Sequence, residues 1–375
     1  MKAATIANWE SKIRPFVSRL PPKNVIARYS AGRLDFLDKL KHEVPSESYA
    51  PPEGYSRVLW GIKFRSPIMN SAGMFKNGEC YEMVAGQGAG GYIGGTDTGI
   101  PRRGNEKDGV YLPFVPYSRS HSASNWLGLP NEGDEVNSER ARVLRRADGC
   151  PVGWSVMGSP DLQGREKLQR LVKSMRSYES AGVDFLEMNE SCPNTENGRP
   201  QDNDLANRLR FVKENFLDHR MRRLPVVVKF SVDAQPQQVP PLMDLLFELG
   251  FDGVNFGNTS TQYAKRREAI HPSERRLFDF YTVDQRFGVG GGVSGRPLKE
   301  DSLALAGAAV KYLRAGAPQQ EFHVIRTGGI ESLGDIEDST RAGVSLNQWY
   351  TGYFEQFAQH GHDVYAELFA DAKSI

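Results

Sequence analysis

The stretch FHVIRTGGIESLGDIEDSTRAGVSLNQWYTG, residues 322–352, decides the fold. FHVIRTGG (322–329) is a short apolar and β-branched run that stops at two glycines. SLGDIEDSTRAG (332–343) has helical spacing and closes on Gly, as a helix C-terminus should. SLNQWYT (345–351) is a second short run, followed by Gly352. Strand, helix and strand alternate here, and alternation is the signature of an α/β sheet covered on both faces.

The same rhythm extends towards the N-terminus as far as residue 55. Further candidate strands are PIMNSAG (67–73), GGYIGGTDT (90–98), VGWSVMG (152–158), DFLEMNES (184–191), PVVVKFS (225–231) and GVNFGNTS (253–260). Helical patterns at 162–182, 240–250 and 298–316 each end in Gly. Eight strands is the count of a (β/α)8 TIM barrel, with a doubly wound open sheet as the alternative. Two segments, 99–150 and 260–294, exceed a minimal barrel and read as long βα-loop insertions, which commonly build sites. Residues 1–54 differ. Ile13, Phe16, Val17 and Leu20, then Leu34, Phe36, Leu37 and Leu40, recur at helical spacing, and a Pro/Ser-rich connector follows at 45–54. The expected organisation is an N-terminal helical extension (1–54) on a barrel (55–375). The extension is either a packed cap or a lid or membrane-surface helix pair.

Composition narrows the function. Of 375 residues, 47 are basic and 46 acidic, a net charge of +1 that argues against nucleic acid bound through bulk charge. No apolar run is long enough to span a membrane, and MKAATIANWESKIRPF has no secretory h-region. Three cysteines and seven scattered histidines suggest neither a disulfide framework nor a metal site. A reduced, cytoplasmic protein is expected. Glycine is the excess, at 38 residues.

In a barrel, residues at the C-terminal ends of strands face the active-site mouth. Those ends carry Asn70 and Ser71; Thr96, Asp97 and Thr98; Asn189, Ser191 and Cys192; Lys229 and Ser231; and Asn258, Thr259 and Ser260. Any one of them is explained by turn formation. A lysine inside VVVKF is not, because lysine is rarely buried without a purpose. Cys192, on the Pro-containing loop NESCPNT, is a candidate nucleophile or base. Loops after the seventh and eighth strands, with Gly328, Gly329 and Gly352, suit a phosphate cradle. GVGGGVSG (288–295) contains a weak G-x-G-x-x-G match and reads as a loop passing close to a cofactor.

Seven ordered motifs, including MNSAGMFKNGE, NWLGLPNEG, NESCPNT, GGVSGRPL and RTGGIES, resemble the dihydroorotate dehydrogenase family from about residue 55 to 357. The resemblance implies an FMN enzyme of pyrimidine biosynthesis that oxidises dihydroorotate to orotate. It implies Cys192 as the base taking the C5 proton while a hydride leaves C6 for flavin N5. It assigns substrate contacts to Lys76, Asn125, Leu127, Gly128, Leu129, Asn189, Asn194, Asn258 and Thr259. It assigns cofactor contacts to Ala72, Gly73, Lys76, Thr96, Asn125, Ser155, Asn189, Lys229, Asn258, Gly292, Ser294, Gly295, Gly328, Gly329, Tyr350 and Thr351, and no metal.

Phe75, Glu190, Arg326 and Ser155 depart from the family pattern. The cysteine and GLPN resemble the branch that reduces fumarate or a partner flavoprotein. The N-terminal helices and YSRVLWGIKFRSP resemble the quinone-linked, membrane-associated branch. The acceptor is therefore fumarate, quinone or NAD, with a homodimer and peripheral membrane contact through 1–54 as further expectations. Two other readings stand beside this one: a flavin barrel acting on another pyrimidine-like or enone substrate, and a catalytically inactive flavin-binding paralogue.

Overall fold

A computed structural model describes residues 1–106, 109–190, 204–282, 291–316 and 318–372. Eight strands form one parallel sheet: β1 (Ile68–Asn70), β2 (Tyr92–Asp97), β3 (Val152–Val156), β4 (Phe185–Asn189), β5 (Val226–Phe230), β6 (Gly253–Phe256), β7 (His323–Thr327) and β8 (Leu346–Trp349). The order β1-β8-β7-β6-β5-β4-β3-β2 wraps the sheet so that its first and last strands meet. The seam between β1 and β2 is closed by Asn70. Its Nδ2 donates to the Ile93 carbonyl at 2.8 Å, and its Oδ1 accepts from Ile93 N at 3.2 Å. The amide side chain there does the work of a strand ladder. All eight strands are those read from the sequence, and the closed sheet is the barrel rather than the open alternative.

Alternation along the strands divides the barrel into layers. Met69, Ile93, Phe185, Val227, Ile325 and Leu346 form an apolar floor, which Leu59, Trp60 and Phe64 of a hairpin (Arg57–Leu59 with Ile62–Phe64) plug from below. Two residues further along, the interior turns polar: Glu187, Lys229, Asn255, Thr327 and Gln348 are joined by side-chain hydrogen bonds. Residues of opposite parity, such as Leu186, Val228, Val254 and Val324, belong to the larger core under the helices.

Two N-terminal helices, α1 (Ala3–Val17) and α2 (Pro22–Leu40), precede the barrel. Around it run α3 (Tyr81–Gln87), α4 (Asp134–Val143), α5 (Gly164–Ser180), α6 (Leu205–Asn215), α7 (Val239–Leu249), α8 (Lys299–Ala315), α9 (Leu333–Ala342) and α10 (Thr351–His360). The insertions meet in a small antiparallel sheet of Phe114–Tyr117, Ser122–Asn125 and Gly292–Gly295. Residues 292–295 are thus a strand, where the sequence read as loop. Glycine weakens a strand on its own, and pairing with 122–125 supplies what local propensity lacks.

Val25, Ile26 and Tyr29 of α2 pack on this sheet with Val115, Tyr117, Trp126, Phe278 and Tyr281. On α1, Arg14 is buried and pairs with Glu10 and with Glu355 of α10. The apolar positions of the extension divide. Leu40 is buried, whereas Trp9, Ile13, Phe16 and Leu34 are exposed. Among the described residues no helix is long and apolar enough to cross a membrane.

Candidate active site

The C-terminal mouth of the barrel opens into one elongated cleft. At one end it is lined by Ala72, Gly73, Lys76, Thr96, Asn125, Leu127, Leu129, Asn189, Asn258 and Thr259. Lys229 and Gln348 form its floor, and Ser294, Gly295, Gly328, Gly329, Tyr350, Thr351 and Gly352 line the far end. Residues from seven strand ends and both insertions therefore converge on one space. Three of the predicted residues stand off the wall. Ser155 is buried beneath it, 2.9 Å from Thr96 Oγ1. Gly128 turns the loop before Leu129, where a Cβ would strike Asn105, and Gly292 packs against Thr259. Cys192 and Asn194 lie outside the described residues.

Local chemistry explains the shape. The first loop is tied down by Gly73 N to Gly95 O (2.7 Å) and by Glu79, whose carboxylate accepts from Lys76 N (3.2 Å) and Asn77 N (2.6 Å). Gly73 has φ +91°, and a Cβ there would meet only Lys76 Nζ, at 4.0 Å, so its open side is the cleft. Gly295, Gly329 and Gly352 behave differently. Their Cβ positions are taken by the His121 carbonyl, the Lys299 backbone and the Ile330 carbonyl, respectively. At these three positions glycine lets neighbouring loops press together into a wall. The hydroxyls of Ser294 and Thr351 meet across that wall at 2.9 Å. The first turn of α10 contributes Thr351 and Gly352, whose backbone N–H groups have no partner one turn earlier in the helix.

Under the cleft, Lys229 Nζ donates to Gln348 Oε1 at 2.8 Å and lies 3.3 Å from Glu187 Oε1. The other Glu187 oxygen accepts from Gln348 Nε2 (2.6 Å) and Asn255 Nδ2 (2.9 Å). Burial pushes the Lys229 amine below its usual range, and Glu187 opposes that shift. The result is a buried lysine amine in the cleft floor with a carboxylate partner on the adjacent strand.

Three departures from the family pattern find partners in the surrounding structure. Phe75 is buried and stacked over Tyr92, with ring centres 6.4 Å apart. Glu190 pairs with Arg208 at 2.7 Å. Arg326 points away from the cleft, into the space between β7 and helices α8 and α9.

Sequence reasoning missed Arg33, Thr327 and Gln348. Arg33, on α2, lines the cleft, contacts the Tyr350 hydroxyl, and lies over the rings of Phe114 (5.3 Å) and Tyr350 (5.6 Å). Its Nε is buried and makes no hydrogen bond among the described residues. Beyond it lies a second cavity, walled by Ile6, Val17, Phe36, Leu37, Pro116 and Phe354 and sharing Arg33, Phe114, Tyr350 and Thr351 with the first.

Residues 56–370 match the family model described as Dihydroorotate dehydrogenase. The chain belongs to the dihydroorotate dehydrogenase family. It is accordingly an oxidoreductase of pyrimidine biosynthesis, and the family reaction is the oxidation of dihydroorotate. Among curated relatives, the Nitratiruptor protein named dihydroorotate dehydrogenase (quinone) is 30% identical over 80% of this chain and 76% of its own length. The Baumannia cicadellinicola protein of the same name is 24% identical, covering 96% of this chain and 98% of that one. The crystal structure of ligand-free dihydroorotate dehydrogenase from Eimeria tenella superposes with a TM-score of 0.70 at 23% identity, over 92% of this chain and 96% of that one. That likeness speaks for the shared fold.

Proposed function

We propose that this chain oxidises dihydroorotate to orotate on a bound FMN and passes the electrons to a quinone. One observation carries the reading. A single cleft joins an amide-lined end, a buried lysine floor and a hydroxyl- and backbone-lined end, which suits a flat polar ring beside a cofactor with a phosphate tail.

When bound, FMN supplies a two-electron acceptor for the hydride leaving C6. The remaining steps belong to the chain. Asn125, Asn189 and Asn258 offer amides able to donate to and accept from the pyrimidine edge, and Lys76 adds a cation suited to the substrate carboxylate. Leu127 and Leu129 add apolar wall beside those amides. Cys192 takes the C5 proton as thiolate, which fits proton abstraction next to a carbonyl. Lys229 holds positive charge in the floor, where it stabilises negative charge developing beside it. Ser294, Thr351 and the first turn of α10 present neutral donors suited to a phosphate.

The second cavity supports the quinone assignment. It is predominantly apolar, it shares a wall with the cleft, and Arg33 offers an unused donor at the junction. The curated relatives named above carry quinone in their names. On α1, the exposed Trp9, Ile13 and Phe16 lie at helical spacing, flanked by Lys12 and Arg19 over the rings. This pattern suits peripheral contact with a membrane, the source of an apolar acceptor.

The test is anaerobic. Dihydroorotate should bleach the flavin of the purified protein, and a ubiquinone analogue should restore the colour faster than fumarate or NAD. Protein that takes up no FMN, or whose flavin dihydroorotate leaves oxidised, overturns the reading.

A further inference from the structure

Arg326 is the least expected side chain in the barrel. It is wholly buried on β7. Its guanidinium donates to the Lys299 carbonyl (2.8 Å), Ser302 Oγ (3.0 Å), Ser339 Oγ (2.9 Å) and the Asp335 carbonyl (3.3 Å). Every acceptor is neutral, and among the described residues no carboxylate forms an ion pair with it. Asp335 and Asp338 act on it only through space. The Asp335 carboxylate is engaged elsewhere, with Lys299 Nζ at 2.9 Å and the backbone of Glu331 and Ser332. Asp338 pairs with Arg341. A buried cation without a counter-ion is costly, and hydrogen bonds to carbonyls satisfy its protons but not its charge. Burial pushes Arg326 down to about 10, so it remains charged at neutral pH.

Asp335 and Asp338 offset part of its charge through space, and its position indicates where further compensation would come from. Lys299 and Ser302 form the first turn of α8, and Asp335 lies in the first turn of α9. Ser302 Oγ also reaches the Gly328 carbonyl at 2.7 Å. A chain of contacts therefore runs from Arg326 through Ser302 to the Gly328–Gly329 loop, on the opposite side of which lies the end of the cleft with Ser294 and Thr351.

We propose that Arg326 is a positioning residue for the cofactor phosphate: it backs the Gly328–Gly329 cradle with a buried positive charge that the phosphate dianion compensates, and so makes the site select a phosphorylated flavin over its dephosphorylated form. This rests on the flavin reading above. Among the described residues the Arg326 guanidinium makes no hydrogen bond to a side chain lining the cleft, so its effect is expected on the phosphate through the Gly328–Gly329 loop.

The experiment compares FMN with riboflavin on refolded apoprotein of the full chain, by fluorescence quenching. The wild-type chain should bind FMN more tightly. Arg326→Gln retains donors for Lys299 and Ser302 but removes the charge. It should weaken FMN on the order of tenfold, with riboflavin affinity unchanged. Arg326→Lys should retain most of the preference. Should Arg326→Gln fail to refold alone, refolding yield with each flavin gives the same reading: rescue by FMN no better than by riboflavin supports the proposal, and rescue favouring FMN as strongly as in the Lys variant counts against it. A parallel loss of both flavins overturns it as well, because that marks a structural role. A wild-type chain that binds neither flavin instead overturns the flavin reading.

Discussion

Lys229 Nζ and Glu187 Oε1 stand 3.3 Å apart on adjacent strands, with side chains 3% and 1% exposed. The pair sits at the boundary between the apolar floor of the barrel and the cleft. An isolated charge at that depth would be prohibitive; each makes the other tolerable, and Gln348 and Asn255 satisfy the second Glu187 oxygen.

Breaking the pair from one side should therefore be severe. Lys229→Met leaves a buried carboxylate unpaired and is expected to cost about 3–5 kcal/mol in urea unfolding. Glu187→Gln keeps hydrogen-bonding capacity toward Gln348 and should cost less. The double variant should recover part of the Lys229→Met loss, because two neutral residues leave no charge to compensate. Additive losses in this cycle would show that the two groups do not act as a pair.

The order of the fold was legible because each barrel strand is a short run of β-branched or apolar residues bounded by turn signals, and such runs report burial directly. The polar layer was legible only at Lys229. Glu187, Asn255, Thr327 and Gln348 are single polar residues within strands, and nothing in their spacing announces that barrel closure will bring them together. Arg33 left no signal either. An arginine on an amphipathic helix has the pattern of a solvated face, and its inward position follows from α2 docking on a sheet built from two insertions. The periodicity of Ile13 and Phe16 was read correctly as helical, yet spacing does not distinguish a face that packs from one left open.

Arg33 bears on the second half-reaction. With its Nε buried and unused between the two cavities, Arg33→Ala should raise the KM for a ubiquinone analogue about tenfold, as expected for loss of one charged hydrogen bond. Reduction of the flavin by dihydroorotate should change far less. Stopped-flow measurement of each half-reaction separates the two, and an equal effect on both would place Arg33 on the substrate side.

The exposed face of α1 makes a prediction about location. Trp9 and Phe16 are 61% and 68% exposed, and burying either ring in a lipid interface is worth roughly 1.5–3 kcal/mol. Cosedimentation with anionic phospholipid vesicles should detect binding by the wild-type chain. Trp9→Ser combined with Phe16→Ser should abolish it while leaving the melting temperature within a few degrees, since neither ring is packed in the core. Retained binding by the double variant would exclude this face.

Asp97 predicts a pH dependence of stability independent of catalysis. Its carboxyl ends β2, wholly buried, and accepts from Asn137 Nδ2 (3.0 Å), Trp154 Nε1 (3.3 Å) and the Tyr178 hydroxyl. Burial pushes it up from 3.8 to about 6, against those hydrogen bonds, which favour the charged form. Between these values the folded chain retains a proton that the unfolded chain has released. The stability from this group is complete below the unfolded value and is lost as pH rises through about 6. Asp97→Asn has no proton to lose. Relative to the variant, the wild-type chain should lose on the order of 2–3 kcal/mol between about pH 4 and pH 7. Urea titrations at a series of pH values measure this directly, and parallel curves for the two proteins would show that Asp97 ionises normally in the fold.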